Sequence, residues 1–414
     1  IPPEIGDLEY LTDLVLRGDP ALFGEWPMEI ENLVNIFEIR TQDTNMSGEI
    51  PWTSLAKTPI ERIRFQEAKH RGEIPDDVFN DMTQLQRMEI SNAYLSGSIP
   101  SSITSLTNLR RFRLQGNLLT GDIPDMSVIP DIEQFHVNGN PFNPGPVWPM
   151  IQTWSEKLEE LRIDNTNRTG TVPEWMTTDL FAVQEFTLGE QSWDLENALG
   201  GEFPDLSALV EMDQLHIHGP HWEGNLPEWI GDKGMRRVYL YYCSFGGTIP
   251  ASYVNITGIL SVQHCPEIEG GIPAEFQVFT GTDFILEMAD SWNEPYSRFG
   301  EAAAAYYGSP KMSVGEIPSY ISGWSAEEIV LKNVGLTGTI PDGIVNNTGL
   351  AALDVSDNPG LTGSLPGGLF DLPLESLHIS NTGLDVTGFP ADLSKLELSL
   401  ESLGMAGLGL TGEI

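Results

Sequence analysis

The stretch LTNLRRFRLQGNLLTGDIP, residues 106–124, contains the pattern that decides the fold. Phe112 and Leu114 are apolar residues separated by one position, which is the alternation of a half-buried β-strand. Gly121 permits a bend after this pair, and Pro124 cannot extend a hydrogen-bonded ladder. The stretch therefore predicts one short strand followed by a turn.

The same phrase recurs along the whole chain, mostly at spacings of 23 to 25 residues. Of the 32 positions of its apolar pair, 31 hold an apolar residue, and Thr41 is the exception. One repeat cannot bury its pair alone, whereas a stack of repeats can. Sixteen repeats are therefore predicted, marked by the prolines Pro2, Pro27, Pro51, Pro75, Pro100, Pro124, Pro149, Pro173, Pro204, Pro227, Pro250, Pro273, Pro318, Pro341, Pro366 and Pro390.

The repeat resembles the plant-type leucine-rich repeat, LxxLxxLxLxxNxLxGxIP, and the ladder asparagine of that pattern is clear at Asn117, Asn140 and Asn358. The resemblance implies an α/β solenoid: a right-handed, curved superhelix of about 16 repeats with a parallel sheet on its concave face. It covers residues 1–414 as a single solenoid. Such repeats are similar to those of receptor-kinase ectodomains and polygalacturonase-inhibiting proteins. Neither end shows the cysteine-paired cap of that family, so we expect a fragment of a longer chain.

The composition excludes two classes of partner. The chain has 60 acidic and 21 basic residues, giving a formal net charge of −39. Nucleic acids and anionic membranes attract basic proteins, so neither is an expected partner. No run of about 18 apolar residues is present, so a membrane would be reached only through segments outside this chain.

Arginine is concentrated on one predicted face. Residues before, between and after each apolar pair point away from the core, onto the concave face. In repeats two to seven, seven of these 18 positions hold arginine, although the chain has only 14 arginines in 414 residues. The arginines either pair with neighbouring carboxylates within an acidic stack or bind an anionic partner. They are Arg40, Arg62, Arg64, Arg87, Arg111, Arg113 and Arg162.

Further along, the same face carries His216, His218, Tyr239 and Tyr241. Adjacent strands lie about 4.8 Å apart, so these side chains are predicted to form one patch. Tyrosine anchors many protein interfaces, and aromatic faces also suit sugar rings. The two histidines also suit a metal, but no third ligand is placed with them, so no metal site is predicted.

Two repeats carry insertions, at about residues 190–198 and at 290–311. Both enter after the strand, so both are predicted to leave the solenoid on the same flank. The longer insertion either packs back on the solenoid edge as an aromatic plug or contacts a partner. Its aromatic residues include Trp292, Tyr296, Tyr306 and Tyr307.

Cys243 and Cys265 occupy the ladder position of consecutive repeats, so they are predicted to be adjacent, either as buried thiols or as a disulfide. Four Asn-x-Ser/Thr sequons fall at phases expected on the surface, where they would accept glycans in a secreted protein. These sequons begin at Asn45, Asn167, Asn255 and Asn346.

No catalytic signature is found in the chain: there is no G-x-S-x-G, phosphate loop, H-E-x-x-H or C-x-x-C. We therefore expect no enzyme and no cofactor. The expected function is recognition at the cell surface or outside the cell, with a protein or an anionic polysaccharide bound on the concave face. Two alternatives are a structural or adhesive component of an extracellular assembly and, from the resemblance alone, an inhibitor of wall-degrading hydrolases.

Overall fold

One parallel β-strand per repeat forms the framework of the molecule, and the sixteen strands follow one another in chain order. The computed structural model describes residues 1–67, 69–192, 195–288, 311–387 and 399–409. These residues form two compact units, one built mainly on Ile1–Glu190 and the other mainly on Asp213–Ile414. The predicted repeat solenoid with a parallel sheet is confirmed.

The first unit contains eight of these strands: β1 (Asp13–Arg17), β2 (Glu38–Gln42), β3 (Arg62–Gln66), β4 (Arg87–Ser91), β5 (Arg111–Arg113), β6 (Gln134–His136), β7 (Glu160–Arg162) and β8 (Glu185–Gly189). A second parallel sheet consists of Phe23–Gly24, Asn45–Glu49, Lys69–Glu73, Tyr94–Ser98 and Leu118–Thr120. Short 3₁₀-helices span Pro3–Asp7, Met28–Asn32, Val78–Asn80, Ser101–Ser105 and Pro149–Trp154. Single α-turns span Trp52–Leu55 and Glu174–Thr178.

The second unit repeats this plan with β9 (Gln214–His218), β10 (Arg237–Tyr241), β11 (Ile259–Gln263), β12 (Asp283–Glu287), β13 (Glu328–Lys332), β14 (Ala352–Asp354), β15 (Ser376–His378) and β16 (Ser402–Gly404). Its shorter strands are Gly201–Glu202, Trp222–Glu223, Gly315–Glu316, Leu336–Gly338, Gly360–Ser364 and Gly383–Asp385. The helical segments are Trp229–Asp232, Ala251–Asn255, Ala274–Val278, Ser319–Gly323, Asp342–Asn346 and Leu369–Asp371.

The core is built from the alternating apolar pairs that the sequence predicts. Phe112 and Leu114 are completely buried, as are Ile63 and Phe65 two repeats earlier. The residues between them point to the opposite side of the strands, which we call the outer face of the sheet. The alternation therefore decides which side chains can meet a partner.

Asparagine side chains join consecutive repeats behind the strands. Asn117 is 3% exposed; its Nδ2 donates to the carbonyls of Ile90 and Leu114, and its Oδ1 accepts from the backbone N–H of Leu95. Gly116, the residue before Asn117, has a positive φ of 67°. Its backbone N–H donates to the carbonyl of Asn138 in the next repeat. These bonds satisfy buried polar groups and hold the repeats in register.

Candidate partner-binding surface

All seven predicted arginines lie on the outer face of the first unit. Three of them, Arg62, Arg87 and Arg111, occupy the same register position on β3, β4 and β5. The next outward position on consecutive strands holds Arg40, Arg64, Glu89 and Arg113, and Arg162 follows on β7. Arg110, the remaining arginine of the opening stretch, lies outside this set and pairs with Glu133 at 3.1 Å.

Five of the seven arginines form ion pairs with carboxylates of the same face. Glu38 lies 3.5 to 3.6 Å from three guanidinium groups, those of Arg40, Arg62 and Arg64. Arg64 also donates from Nε to Glu89 Oε2 at 3.0 Å. The remaining pairs are Arg113 with Glu160 at 3.0 Å and Arg162 with Glu185 at 2.6 Å. Mutual neutralisation therefore accounts for most of the predicted cluster.

Glu160 is a carboxylate that this surface holds in its charged form. Burial raises its pKa, but the hydrogen bond to His136 and the charges of His136, Arg113 and Arg162 outweigh burial and lower the pKa to about 2. Glu160 is therefore ionised at any physiological pH, and the guanidinium group of Arg113 is held in place.

Arg87 and Arg111 form no ion pair with any residue in the described ranges. Together with Arg62 they make a row of three guanidinium groups on adjacent strands, which we call the arginine row. Burial is the main cause that lowers the pKa of Arg87; the charges of Arg111 and Arg62 lower it further, and the charge of Glu89 opposes them. An anion placed on the arginine row would relieve this repulsion.

The arginine row is bounded by acidic residues in the same register. Glu38 precedes Arg62 on β2, and Gln134, Glu160 and Glu185 follow Arg111 on β6 to β8. Since strands are spaced by about 4.8 Å, the row extends over roughly 10 Å. The positive surface is therefore short.

The predicted histidine and tyrosine residues come together on the outer face of the second unit. The ring centres of His216 and Tyr239 are 4.3 Å apart, and those of His218 and Tyr241 are 5.3 Å apart. Tyr239 and Tyr241 are themselves 5.8 Å apart. The four residues form one half-buried aromatic patch, as expected from the register of β9 and β10.

Sequence reasoning missed a second aromatic pair beside this patch. Tyr242 and His264 stack with ring centres 4.6 Å apart and planes at 14°. Both have positive φ, 59° and 56°, where other repeats place Gly116 or Asn92. A bulky residue at a position that favours glycine was the available signal.

The two cysteines replace ladder asparagines. The backbone N–H of Cys243 donates to Cys265 Sγ, 3.4 Å away, and both side chains are fully buried free thiols. Each Sγ also lies 3.3 to 3.7 Å from two main-chain carbonyl oxygens. Burial, followed by the hydrogen bond to Cys265, raises the pKa of Cys243 well above its usual value, so it stays a thiol.

The first insertion begins at a buried carboxyl group. Glu190 is 1% exposed and accepts hydrogen bonds from the backbone N–H groups of Thr166 and Arg168, at 3.1 and 2.6 Å. Burial raises its pKa to about 7 despite these donors. At the end of this insertion, Ala198 forms an isolated antiparallel β-bridge with Thr169.

The aromatic residues of the second insertion, Trp292, Tyr296, Tyr306 and Tyr307, lie outside the described residues. Among the residues that are described, no group of three or more His, Cys, Asp and Glu side chains could hold a metal ion. Nor does this part of the chain contain a helix long and apolar enough to cross a membrane.

On the second unit, Asp354, His378 and Ser402 lie next to one another in the acid–histidine–serine sequence of a hydrolase triad. His378 Nε2 lies 2.8 Å from Ser402 Oγ, and His378 Nδ1 lies 3.5 Å from Asp354 Oδ2. The acid–histidine distance is too long for a strong hydrogen bond, and Ser402 is exposed. Acyl transfer needs a site that excludes water and stabilises an oxyanion, so this arrangement is better described as a surface hydrogen-bond network.

Comparison with known proteins identifies the fold. No protein-family model and no curated protein matches the chain, whereas 240 chains of solved structures do. A structure of PEPR1 with AtPEP1 matches with a TM-score of 0.60 and 20% identity over 92% of this chain and 50% of that chain. The ectodomain of the Arabidopsis thaliana receptor kinase GASSHO1/SCHENGEN3, in complex with CASPARIAN STRIP INTEGRITY FACTOR 2, matches with a TM-score of 0.60 and 22% identity over 99% and 52%.

The chain has the leucine-rich-repeat fold. A leucine-rich-repeat protein of Leptospira interrogans, LIC12759, also matches, with a TM-score of 0.55 and 16% identity over 87% of this chain and 88% of that one. The chain spans about half the length of the two plant receptor chains. At such low identity the likeness is one of fold alone.

Proposed function

We propose that this leucine-rich-repeat chain is a non-catalytic, extracellular recognition module whose outer sheet face binds a protein partner through an anionic group. The observation that carries this proposal is the arginine row. Arg87 and Arg111 have no carboxylate partner in the described part of a chain with a net charge of −39. The register neighbours of Arg87 on both sides, Arg62 and Arg111, are themselves cations, so an external anion would supply the missing counter-charge.

The charge pattern favours a compact anion over a polyanion. Glu38 stands at one end of the arginine row, and Glu160 and Glu185 stand beyond the other. A linear polysaccharide with a charge on every sugar would run past Arg111 to Arg113 and Arg162, which already pair with Glu160 and Glu185 and leave no free counter-charge for it. A single carboxylate, sulfate or phosphate group on a polypeptide would contact Arg87 and Arg111 without extending as far as Glu160 and Glu185.

The aromatic patch of His216, His218, Tyr239 and Tyr241 supports a protein partner by a separate argument. Buried tyrosine rings are frequent anchors of protein interfaces, while surface ion pairs contribute only about 0–1 kcal/mol. The aromatic patch is therefore a second candidate contact surface, proposed for the second unit independently of the arginine row on the first.

Reversing the two unpaired arginines tests the proposal. Binding of peptides that carry a single sulfate or phosphate ester would be measured by calorimetry, with the Arg87→Glu/Arg111→Glu double variant compared with the wild type. We expect the double variant to bind at least about tenfold more weakly and to lose most of the salt dependence, because both counter-charges are removed.

Arg110→Glu is the matched control, since Arg110 adjoins Arg111 in sequence but pairs with Glu133 outside the outer face set. It should leave peptide binding within about twofold of the wild type. Equal binding by the double variant and the wild type, or tighter binding of polygalacturonate than of the peptides, would refute the proposal.

A further inference from the structure

The four sequons fall into two structural groups. Asn255 and Asn346 are exposed, and so are the threonines two residues later, Thr257 and Thr348. Each of these asparagines is the last residue of a 3₁₀-helix, Ala251–Asn255 or Asp342–Asn346. In both sequons the acceptor amide and the hydroxyl that completes the motif face solvent together.

The other two sequons are held against the fold, although the sequence predicted a surface phase for them. Asn45 and Asn167 are half-buried. The side-chain amide of Asn45 donates to the carbonyl of Pro20 at 2.5 Å, and that of Asn167 donates to the carbonyl of Phe142 at 2.8 Å. Both amide nitrogens thus hydrogen-bond the main chain of the preceding repeat, in side chains that are less exposed than Asn255 and Asn346.

We propose that Asn255 and Asn346 carry N-linked glycans and that Asn45 and Asn167 do not. In the transfer, the amide nitrogen displaces the diphosphate of a lipid-diphosphate-linked oligosaccharide from the sugar C1. The new bond is N–C1, the C1–O bond to diphosphate breaks, and the amide proton is released. Asn255 also donates to the main chain of the preceding repeat, at the carbonyl of Gly231, but at 3.4 Å this contact is longer than those of Asn45 and Asn167, and Asn255 is exposed.

Both glycans would leave the outer face of the sheet open. Tyr253 and Ile344, on the same two 3₁₀-helices, are buried in the core between helix and strand. The sugars would therefore extend from the helix side of their repeats, away from the side chains of the sheet. This placement restricts partners of the second unit to the sheet and its flanks.

Mass spectrometry of the secreted protein tests the assignment. The full chain would be secreted from eukaryotic cells behind a signal peptide, its folded fraction isolated, and its glycans removed with peptide-N-glycosidase in heavy-oxygen water. We expect heavy-oxygen-labelled aspartate at positions 255 and 346 and unmodified asparagine at 45 and 167. An unmodified asparagine at 255 or 346, or labelled aspartate at 45 or 167, overturns the assignment.

Single variants check the same assignment on gels. Asn255→Gln and Asn346→Gln should each remove one glycan step in mobility, and Asn167→Gln should remove none. The Asn255→Gln/Asn346→Gln double variant should bind the sulfated peptide as the wild type does, because both sites lie on the helix side of their repeats and not on the sheet face. Loss of peptide binding in this variant would refute the placement of the glycans away from the partner face.

Discussion

Glu190 performs with a carboxyl group the role that asparagine performs elsewhere in the fold. Its Oε1 accepts from two backbone N–H groups, as Asn358 Oδ1 does at 3.1 and 2.9 Å. Asn358 also donates from Nδ2 to main-chain carbonyls. A protonated carboxyl group can likewise accept with one oxygen and donate with the other, whereas a carboxylate cannot donate. The raised pKa of Glu190 is therefore consistent with a carboxyl group that takes the place of an asparagine amide.

This chemistry predicts that stability falls as pH rises. The folded pKa of about 7 lies above the ordinary value of 4.5, so the folded state holds the proton more tightly. The contribution of this proton to the free energy of unfolding is up to about 3 kcal/mol. It is complete below pH 4.5 and is lost as the pH rises through 7. Glu190→Gln keeps an acceptor and a donor without titrating.

We expect Glu190→Gln to be more stable than the wild type at pH 8 and nearly equal to it at pH 4.5, measured by urea unfolding. The control is Glu223→Gln, at an exposed glutamate, which should change stability little at either pH. A Glu190→Gln variant with the same advantage at both pH values would contradict the argument.

At the residue scale, the sequence was enough to predict which face carries the arginines, but not which of them form ion pairs. The alternation of β3 to β5 places Arg62, Arg87 and Arg111 outward because strand geometry has a period of two. Which arginines lack a carboxylate depends on side-chain reach across neighbouring strands. Glu38, for instance, is shared by three guanidinium groups. Arg87 and Arg111 have no such partner in the described residues, and no spacing in the sequence reveals which arginines lack one.

At the scale of elements, the strands were predictable and the turns only partly so. Alternating apolar pairs predict the strands correctly because burial of one face is the main stabilising term of each repeat. The turn after each strand needs a positive φ, which glycine, asparagine and aspartate supply at low cost. Tyr242 and His264 adopt the same conformation against their preference, so they were not foreseen.

Gly116 tests the importance of this turn. Its φ is 67°, and a Cβ added there would lie 2.1 Å from Asn92 Oδ1. Gly116→Ala should therefore incur both backbone strain and a steric clash. We expect a loss of roughly 2 kcal/mol in the free energy of unfolding, measured with urea.

Gly18 is the matched control for this substitution, with φ of 69° and no atom within 4 Å of the added Cβ. Gly18→Ala should lose only the strain component, about 1 kcal/mol. If the two alanine variants were equally stable, the contact with Asn92 would have no energetic role.

At the scale of the whole molecule, the net charge of −39 makes self-repulsion an unfavourable electrostatic term. Carboxylates outnumber cations by nearly three to one, 60 against 21. Many of the cations, such as Arg64 and Lys332, already pair with carboxylates. Uncompensated negative charge therefore remains across the surface and disfavours the compact state.

We expect salt to stabilise the protein at neutral pH. Raising the ionic strength from about 0.01 M to about 0.15 M shortens the Debye length from about 30 to about 8 Å and screens this repulsion. The melting temperature should rise over this range. The control is the same titration at an acidic pH where most carboxylates are protonated, and there the rise should disappear. A melting temperature that falls with salt at neutral pH would show that ion pairs outweigh the repulsion.

The ladder that joins each repeat to the next also sets the rules by which the chain can change length. Asn117 bonds to groups of its own repeat and of the repeat before it, and Gly116 bonds only to the repeat after it. Deleting or duplicating one complete period would recreate an equivalent junction, and the strands on either side would keep their faces. An insertion or deletion of any other number of residues must be absorbed in a loop that protrudes from the stacked repeats. Ancestral gain or loss of whole periods could thus change the number of strands within a unit while every side chain keeps its face of the sheet.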